Sequence, residues 1–492
     1  MASVQVFSSN SVVFPDETCK AVIEVKEGRI QRVSRHTTDV SAYSESQITR
    51  CGDLVLMAGV VDSHVHVNEP GRTAWEGYSS ATRAAAAGGI TTIVDMPLNS
   101  IPPTTSMAAW AEKMGAAKGQ CWVDVGFWGG VVPGNSSELR KMVDNGICGF
   151  KCFLIHSGVD EFPSVDYEEV EEALTQLSTT SSVLLFHAEC DIGPSVTDSD
   201  PSEKYSTFLK SRPQKMEEVA IEQVISLCEK TKVRCHIVHL SASRALPMIR
   251  SAQSRGVPLS VETCHHYLSL KADDIPDNAT QFKCCPPIRE GENQEQLWEA
   301  VRDGTIQQVV SDHSPCTPDL KLPGKMDFME AWGGIASVQF GLSVFWTEAS
   351  RRGFSLQDVA KLLSAGPASQ ASLADRKGAL REGYDADFVI WDPSKTFTVL
   401  ESMIHHKNKI SPYIGKTLKG KVHKTVLRGT VIYDKDSFTE SAPRGSFVFA
   451  SRKNKNTRTR DNPPPHPIPK RCQEEETEAA TAEDLSLWPH GC

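Results

Sequence analysis

Read for the spacing of apolar and polar positions, the chain falls into three stretches. In the first 50 residues the alternation is short-range. Val22-Ile23-Glu24-Val25-Lys26 runs through Glu27-Gly28 into Arg29-Ile30-Gln31-Arg32-Val33, a hairpin pattern. From Leu54 the rhythm changes. Leu54–Val61 is a continuous apolar run, as in a strand buried on both faces, and helical spacing over Trp75–Ala87 stops at Gly88-Gly89. Strand-like runs then recur at Ile90–Met96, Trp122–Val132, Gly149–Leu154, Val183–Glu189, Arg234–Ser241, Val257–Thr263 and Gln307–Asp312. Helical spacing separates most of them, as in Glu217–Glu229 and Ser243–Arg255. Eight strands alternating with helices predict an α/β fold with a parallel sheet, most economically a (β/α)8 TIM barrel. An open doubly wound sheet is the competitor, and no GxGxxG or GxxxxGK[ST] string supports it.

Helical patterns over Glu330–Arg351 and Leu356–Ser364 close this stretch, and short strands return at Phe388–Trp391, Val422–Leu427 and Val431–Tyr433. The β segments at the two ends predict one small β-sandwich, split in sequence, with the barrel inserted into it. The expected division is 1–54 and 376–450 for the β-sandwich, 55–375 for the barrel and 451–492 for a disordered tail. In that tail Arg452, Lys453, Lys455, Arg458 and Arg460 give way to Pro463-Pro464-Pro465 and the acidic run Glu474–Glu478.

Composition narrows the class. With 492 residues, 39% hydrophobic and 23% charged, the chain is neither wholly disordered nor embedded in a membrane. A formal net charge of -10 argues against duplex nucleic acid as a partner, since that affinity comes from neutralising phosphates. Fourteen cysteines form no CxxC pair, and Cys284-Cys285 are adjacent, so free thiols in a reducing compartment are expected. No targeting segment, spanning segment or membrane anchor is evident, and the expected location is the cytoplasm, with mitochondrion and peroxisome as alternatives.

The sharpest chemical feature is Val60-Val61-Asp62-Ser63-His64-Val65-His66. Alternate strand residues share a face, so His64 and His66 project together, as two imidazoles suited to a divalent metal such as zinc. A hydrogen-bonded pair of core histidines is the plain alternative. His187, His239 and Asp312 close other strands, and strand ends of a TIM barrel meet at one mouth, which makes these residues a metal set. His236, three residues before His239, faces away on a regular strand and reads as structural. Lys151 closes a further apolar strand. A neutral, buried lysine amine can take up carbon dioxide as an anionic carbamate; a lysine that reaches solvent along its stem is the plain alternative.

His64-Val65-His66, Lys151, His187, His239 and Asp312, in this order on βα repeats, resemble the amidohydrolase superfamily. Within it they resemble the cyclic amidohydrolases: dihydroorotases, hydantoinases, dihydropyrimidinases and allantoinases. Gly383-Tyr384-Asp385-Ala386-Asp387-Phe388-Val389-Ile390 is similar to that group's return into the sandwich, and the likeness runs over about residues 20–435. Asn68–Arg72, Asp95–Thr104, Ala331–Ala336 and Ser411–Gly415 are nearest the allantoinase branch. Dihydroorotases carry an arginine where Asn68 stands, to hold a substrate carboxylate that allantoin lacks.

The resemblance implies two divalent ions, zinc, with His64, His66 and Asp312 at one and His187 and His239 at the other, and carbamylated Lys151 bridging. It implies hydrolysis of the hydantoin-ring amide of (S)-allantoin to allantoate in purine degradation, with Asp312 as general base and then acid. It further implies a homotetramer, and substrate contacts at Asn68, Asn99, His156, Cys285 and Gly333. At Cys285 and Gly333 the contact is through the backbone, and His156 would donate to the developing oxyanion. A hydantoinase or dihydropyrimidinase is the runner-up. A non-catalytic assembly relative would have lost ligand positions that are all filled here. His265 and His266 read as packing or supporting residues.

Overall fold

The structure, a computed structural model, describes residues 4–451 apart from 198, 323, 325 and 326. The tail expected from 451 onward therefore lies, beyond Ser451, outside the described residues. The chain opens with β1 (Gln5–Val13), β2 (Thr18–Lys26), β3 (Arg29–Arg35) and β4 (Ile48–Ala58). β2 and β3 form the predicted hairpin, with Glu27 and Gly28 at φ of 53° and 76°, the left-handed pair that a two-residue turn requires.

The barrel follows: β5 (Val60–Val65), β6 (Ile90–Asp95), β7 (Asp124–Phe127), β8 (Gly129–Gly130), β9 (Phe150–Phe153), β10 (Val183–His187), β11 (Arg234–Ile237), β12 (Leu259–Cys264) and β13 (Gln308–Val310). Their pairings are all parallel. β7 and β8 are two halves of the predicted strand Trp122–Val132, interrupted at Trp128, whose indole donates to Ser63 O at 2.8 Å across the barrel. The circle closes where Val65 bridges His313 in parallel and His66 N–H donates to His313 O at 2.8 Å.

The chain then returns as β14 (Phe388–Thr398), β15 (Thr417–Leu427), β16 (Thr430–Asp434) and β17 (Ser437–Phe438). Strands from both chain ends hydrogen-bond into one eight-stranded sheet, β17-β16-β15-β14-β4-β1-β2-β3. Alternation explains its two faces. Leu56, Ala58, Phe388 and Ile390 join Phe7, Ile23 and Val25 in the core of the small domain, while Val55, Met57, Val389 and Trp391 point into the barrel core.

Two readings of the sequence change. Leu54–Val61 is not one strand: β4 belongs to the small sheet and β5 to the barrel, and the chain passes between them at Gly59. A Cβ there would lie 2.2 Å from Thr91 Oγ1, so the crossing needs glycine. Both sides of the joint are apolar, which hid it. The helix expected over Glu330–Arg351 begins only at Gly341. The stretch before it is a loop in which Ile335 bridges His313, and its Ala-Trp-Gly-Gly-Ile spacing imitates a helix without forming one.

A buried charge cluster fastens sheet to barrel where the barrel strands start. Lys377 Nζ sits 2.6 Å from Asp124 at the head of β7, 3.0 Å from Asp385 and 2.5 Å from Asp387, just before β14. Arg428 pairs with Asp124, and Arg376 with Asp385 at 2.7 Å. Ser446 N–H donates to Asp124 Oδ1 and Arg428 N–H to Asp387 Oδ1, both at 2.8 Å.

Candidate metal centre

At the opposite end, where strands finish, the predicted ligands converge. His64 Nε2 and His66 Nε2 stand 3.2 and 3.5 Å from Asp312 Oδ1. All three residues are buried, and their ligand atoms lie within 4.8 Å of one another. His187 Nδ1 faces His239 Nε2 at 3.0 Å, and the His64 and His239 ring centroids are 5.4 Å apart, so the two groups adjoin. Lys151, on β9 in register with Leu185 of β10, is 1% exposed, with its amine over the Phe153 ring. His239 and Asp312 follow their strands in the left-handed region, at φ of 38° and 44°. For residues with a Cβ this costs energy, and such strain gathers at functional sites. Asn68 and Asn99 share it, at 67° and 65°.

Partners behind the ligands fix which nitrogen each ring offers. Glu262 of β12 accepts from His64 Nδ1 at 2.6 Å and from Gln308 at 2.7 Å, and pairs with His236 Nε2 at 3.0 Å. In the tautomer that donates from Nδ1 to Glu262, His64 turns a bare Nε2 lone pair toward the Asp312 carboxylate, and that nitrogen has no hydrogen-bond partner among the described residues. Two acceptors face each other at 3.2 Å, an arrangement that calls for a cation between them. His187 repeats the pattern: Nε2–H donates to Glu189 at 2.7 Å, Arg212 steadies that carboxylate at 3.3 Å, and bare Nδ1 faces His239. The donor set fits divalent metal. Asp95 holds the loop after the histidine pair, accepting from Val67 N–H, Tyr78 OH and Lys113 at 3.0, 2.7 and 2.8 Å.

Electrostatics agree. Burial brings His66 down to about 4 and lowers His187 and His239 as well, so the imidazoles are neutral ligands near pH 7. Burial works to raise Asp312, but the His64 and His66 rings facing its carboxylate outweigh it and hold the carboxyl at about 2. Lys151 is lowered to about 8 by burial, against the pull of Asp312 and Glu262.

The expected substrate contacts divide. Asn68 is buried, donates from Nδ2 to Pro315 O at 3.2 Å, and leaves Oδ1 without a partner among the described residues. The Asn99 amide lies 3.3 Å from His66 Nδ1. Turned over, it accepts from that ring and frees its own N–H groups. Cys285 and Gly333 adjoin: a Cβ on Gly333 would lie 2.7 Å from Cys285 Sγ. Buried Lys321 ties both loops, donating to the carbonyls of Lys283, Trp332 and Gly334 at 2.7, 2.9 and 2.6 Å. His156 stands apart, its side chain 66% exposed and 3.6 Å from Asp160. His236, read as structural, proves to be a partner of the carboxylate behind His64. Glu262, Glu189 and Lys321 were not singled out from sequence. A lone glutamate in the apolar strand Val261-Glu262-Thr263-Cys264, beside histidine-bearing strands, was the available signal.

A barrel mouth carrying this ligand set defines a class, and residues 55–432 match the model of the amidohydrolase family. The chain belongs to that family, and is a hydrolase of cyclic amide bonds. Within it, the chain is 48% identical to "Allantoinase, mitochondrial" of Aquarana catesbeiana over 91% of this chain and 92% of that protein. It is 43% identical to an allantoinase of Saccharomyces cerevisiae over 90% of this chain and 96% of that protein. Among solved structures, L-hydantoinase (dihydropyrimidinase) from Arthrobacter aurescens superposes with a TM-score of 0.84 at 29% identity, covering 91% of this chain and all of that one. Among the described residues, no helix is long and apolar enough to cross a membrane.

Proposed function

We propose that the protein is an allantoinase, opening the hydantoin ring of allantoin by hydrolysis to give allantoate. One observation carries this reading: identity of 42–48% to allantoinases of an amphibian, a bacterium, a yeast and a plant, over about nine-tenths of the chain. Asn68 is in keeping with it, since a neutral amide suits a substrate without a carboxylate.

In this reading His64, His66 and Asp312 would hold one ion and His187 and His239 a second, and Lys151, as a carbamate, would supply a further ligand. Zinc suits the nitrogen and oxygen donors. A metal held by these residues would supply Lewis acidity for the ring carbonyl and lower the pKa of water toward neutral pH. Asp312, ionised at neutral pH, accepts the proton of the attacking water and returns it to the departing ring nitrogen. Asn68 Oδ1 accepts a substrate N–H, and the freed Asn99 N–H groups donate to a substrate carbonyl. The backbone beside Cys285 and Gly333 holds the ring amide. His156, exposed beside Asp160, rests as an oxyanion donor on the resemblance alone. The Lys151 amine, brought by burial toward the pH range where it is partly neutral, supports the carbamate. The reading extends to a homotetramer and, from the free thiols of the described residues, to the cytoplasm.

The test is to load the purified chain with zinc and supply allantoin, dihydrouracil and hydantoin separately. Allantoate is expected to form fastest. Faster opening of dihydrouracil assigns the chain to the dihydropyrimidinases instead.

A further inference from the structure

Beside the ligand pairs lies a third buried group, two of whose three members the mechanism does not use. Cys264 ends β12, His266 stands two residues on in the helical turn His265–Ser269, and Asp312 follows the neighbouring strand β13. Their ligand atoms lie within 4.8 Å of one another. His266 is 0% exposed, and neither of its ring nitrogens has a hydrogen-bond partner among the described residues. A neutral imidazole carries one N–H and one lone pair, and leaving both dry and unmatched in a protein interior is costly. Tyr267 packs edge-on against the ring, with centroids 4.2 Å apart, and satisfies neither nitrogen. Thiol, imidazole and carboxylate together make a donor set for a soft or borderline cation, and the spacing needs only a modest closure to reach tetrahedral zinc geometry. Asp312, with a side chain 8% exposed, lies where such an ion would enter from the mouth.

We propose that Cys264, His266 and Asp312 form a third metal site, for a divalent ion such as zinc or cadmium in excess, and that its filling inhibits the enzyme. On binding, the Cys264 S–H proton is released to solvent and Sγ, a His266 nitrogen and an Asp312 oxygen bond the ion. Asp312 is then no longer free to accept the proton of the attacking water. The site itself stands on the donor set and the unmatched ring; the inhibition rests on the role of Asp312 proposed above.

The test titrates cadmium into the zinc-loaded holoenzyme and follows metal content, the ultraviolet thiolate-to-cadmium band and allantoin hydrolysis. One further equivalent per chain is expected, with the band rising and activity falling at one midpoint. The ligand pairs of the main centre contain no sulfur, so the band reports a thiolate site and not exchange there, and the Cys264 variant identifies which thiolate. Cys264→Ala is expected to abolish the band, keep basal activity and raise the inhibition midpoint at least about tenfold, a loss that even an outer partner of a metal ligand can cost. Cys264→Ser and His266→Gln are expected to raise it in the same direction, and Cys285→Ala to keep the wild-type band. The proposal is overturned if the wild type takes up no further equivalent, if band and midpoint are unchanged in Cys264→Ala, or if Cys285→Ala removes the band. It is also overturned if His266→Gln raises KM for allantoin with the cadmium midpoint unmoved, which would make His266 a substrate contact. Uptake of the extra equivalent by a chain that opens no ring substrate would instead sink the functional reading and leave the site standing.

Discussion

Two groups of acids gather at opposite ends of one barrel, and what separates them is whether their charge is already answered. Asp124, Asp385 and Asp387 come close enough together to resemble a metal site, yet the Lys377 ammonium occupies their centre and arginines and backbone N–H groups take the remaining oxygens. Nothing is left over for a ligand. At the mouth, His64 Nε2 and Asn68 Oδ1 are buried without a partner among the described residues, and four residues there accept left-handed backbone. Proximity of acids therefore does not mark a functional site. The mark is buried polarity that the chain leaves unfinished, held in place by a partner that is itself complete, as Glu262 is.

The contrast can be broken most severely at Asp312. Asp312→Asn keeps the shape and removes the proton acceptor, so kcat for allantoin should fall by about 10³-fold with the melting temperature nearly unchanged. Retention of most activity would remove Asp312 from the chemistry. The complete cluster should behave oppositely. Lys377→Met strands three buried carboxylates and should cost about 3–5 kcal/mol in chemical denaturation, with kcat of the surviving folded enzyme unchanged. Asp124 is depressed by Lys377 and Arg428 despite its burial, so its contribution is present above the usual aspartate range and is lost as pH falls through the lowered value. Lys377 is raised by its aspartates against burial, so its contribution is lost only as pH rises beyond the ordinary lysine range.

Glu262→Ala tests the partners behind the ligands. It frees the His64 ring to turn and should weaken zinc affinity by about 10–100-fold, read by competition with a chelator. Unaltered affinity would reduce Glu262 to packing. The smallest effect concerns the metal-free protein. Burial holds His66 at about 4, below its unfolded value of 6.5. The unfolded chain then binds more protons between those values, and stability falls as pH is lowered through that window. Chelated protein should melt several degrees lower at pH 5 than at pH 7.5, and loaded protein should lose less over the same interval until its metal leaves.

Much of the site was readable because strand-end residues are few and their alternation is strict. His64, His66, His187, His239 and Asp312 sit at or just beyond the ends of four barrel strands, as expected. Glu262 was not readable in the same way, since a glutamate inside a strand carries no sign of the ring it will meet across the barrel. The split at Gly59 was lost because apolar residues flank it on both sides. His236 shows the limit of the alternation argument: expected to face away, it lies in register with Leu185 and Lys151 on the inward face of the barrel and bears on His64 through a shared carboxylate.

The pairing of Ala58 with Phe388 has a bearing on how the chain is made. During synthesis β4 emerges early, while the strand that covers its open side is translated only after the whole barrel. At ~5–20 residues per second, that edge waits for tens of seconds. Until then its main chain is an invitation to stray pairing with other nascent chains. Expression at lower temperature, or with holding chaperones, should therefore raise the yield of folded protein more than any change at the barrel mouth.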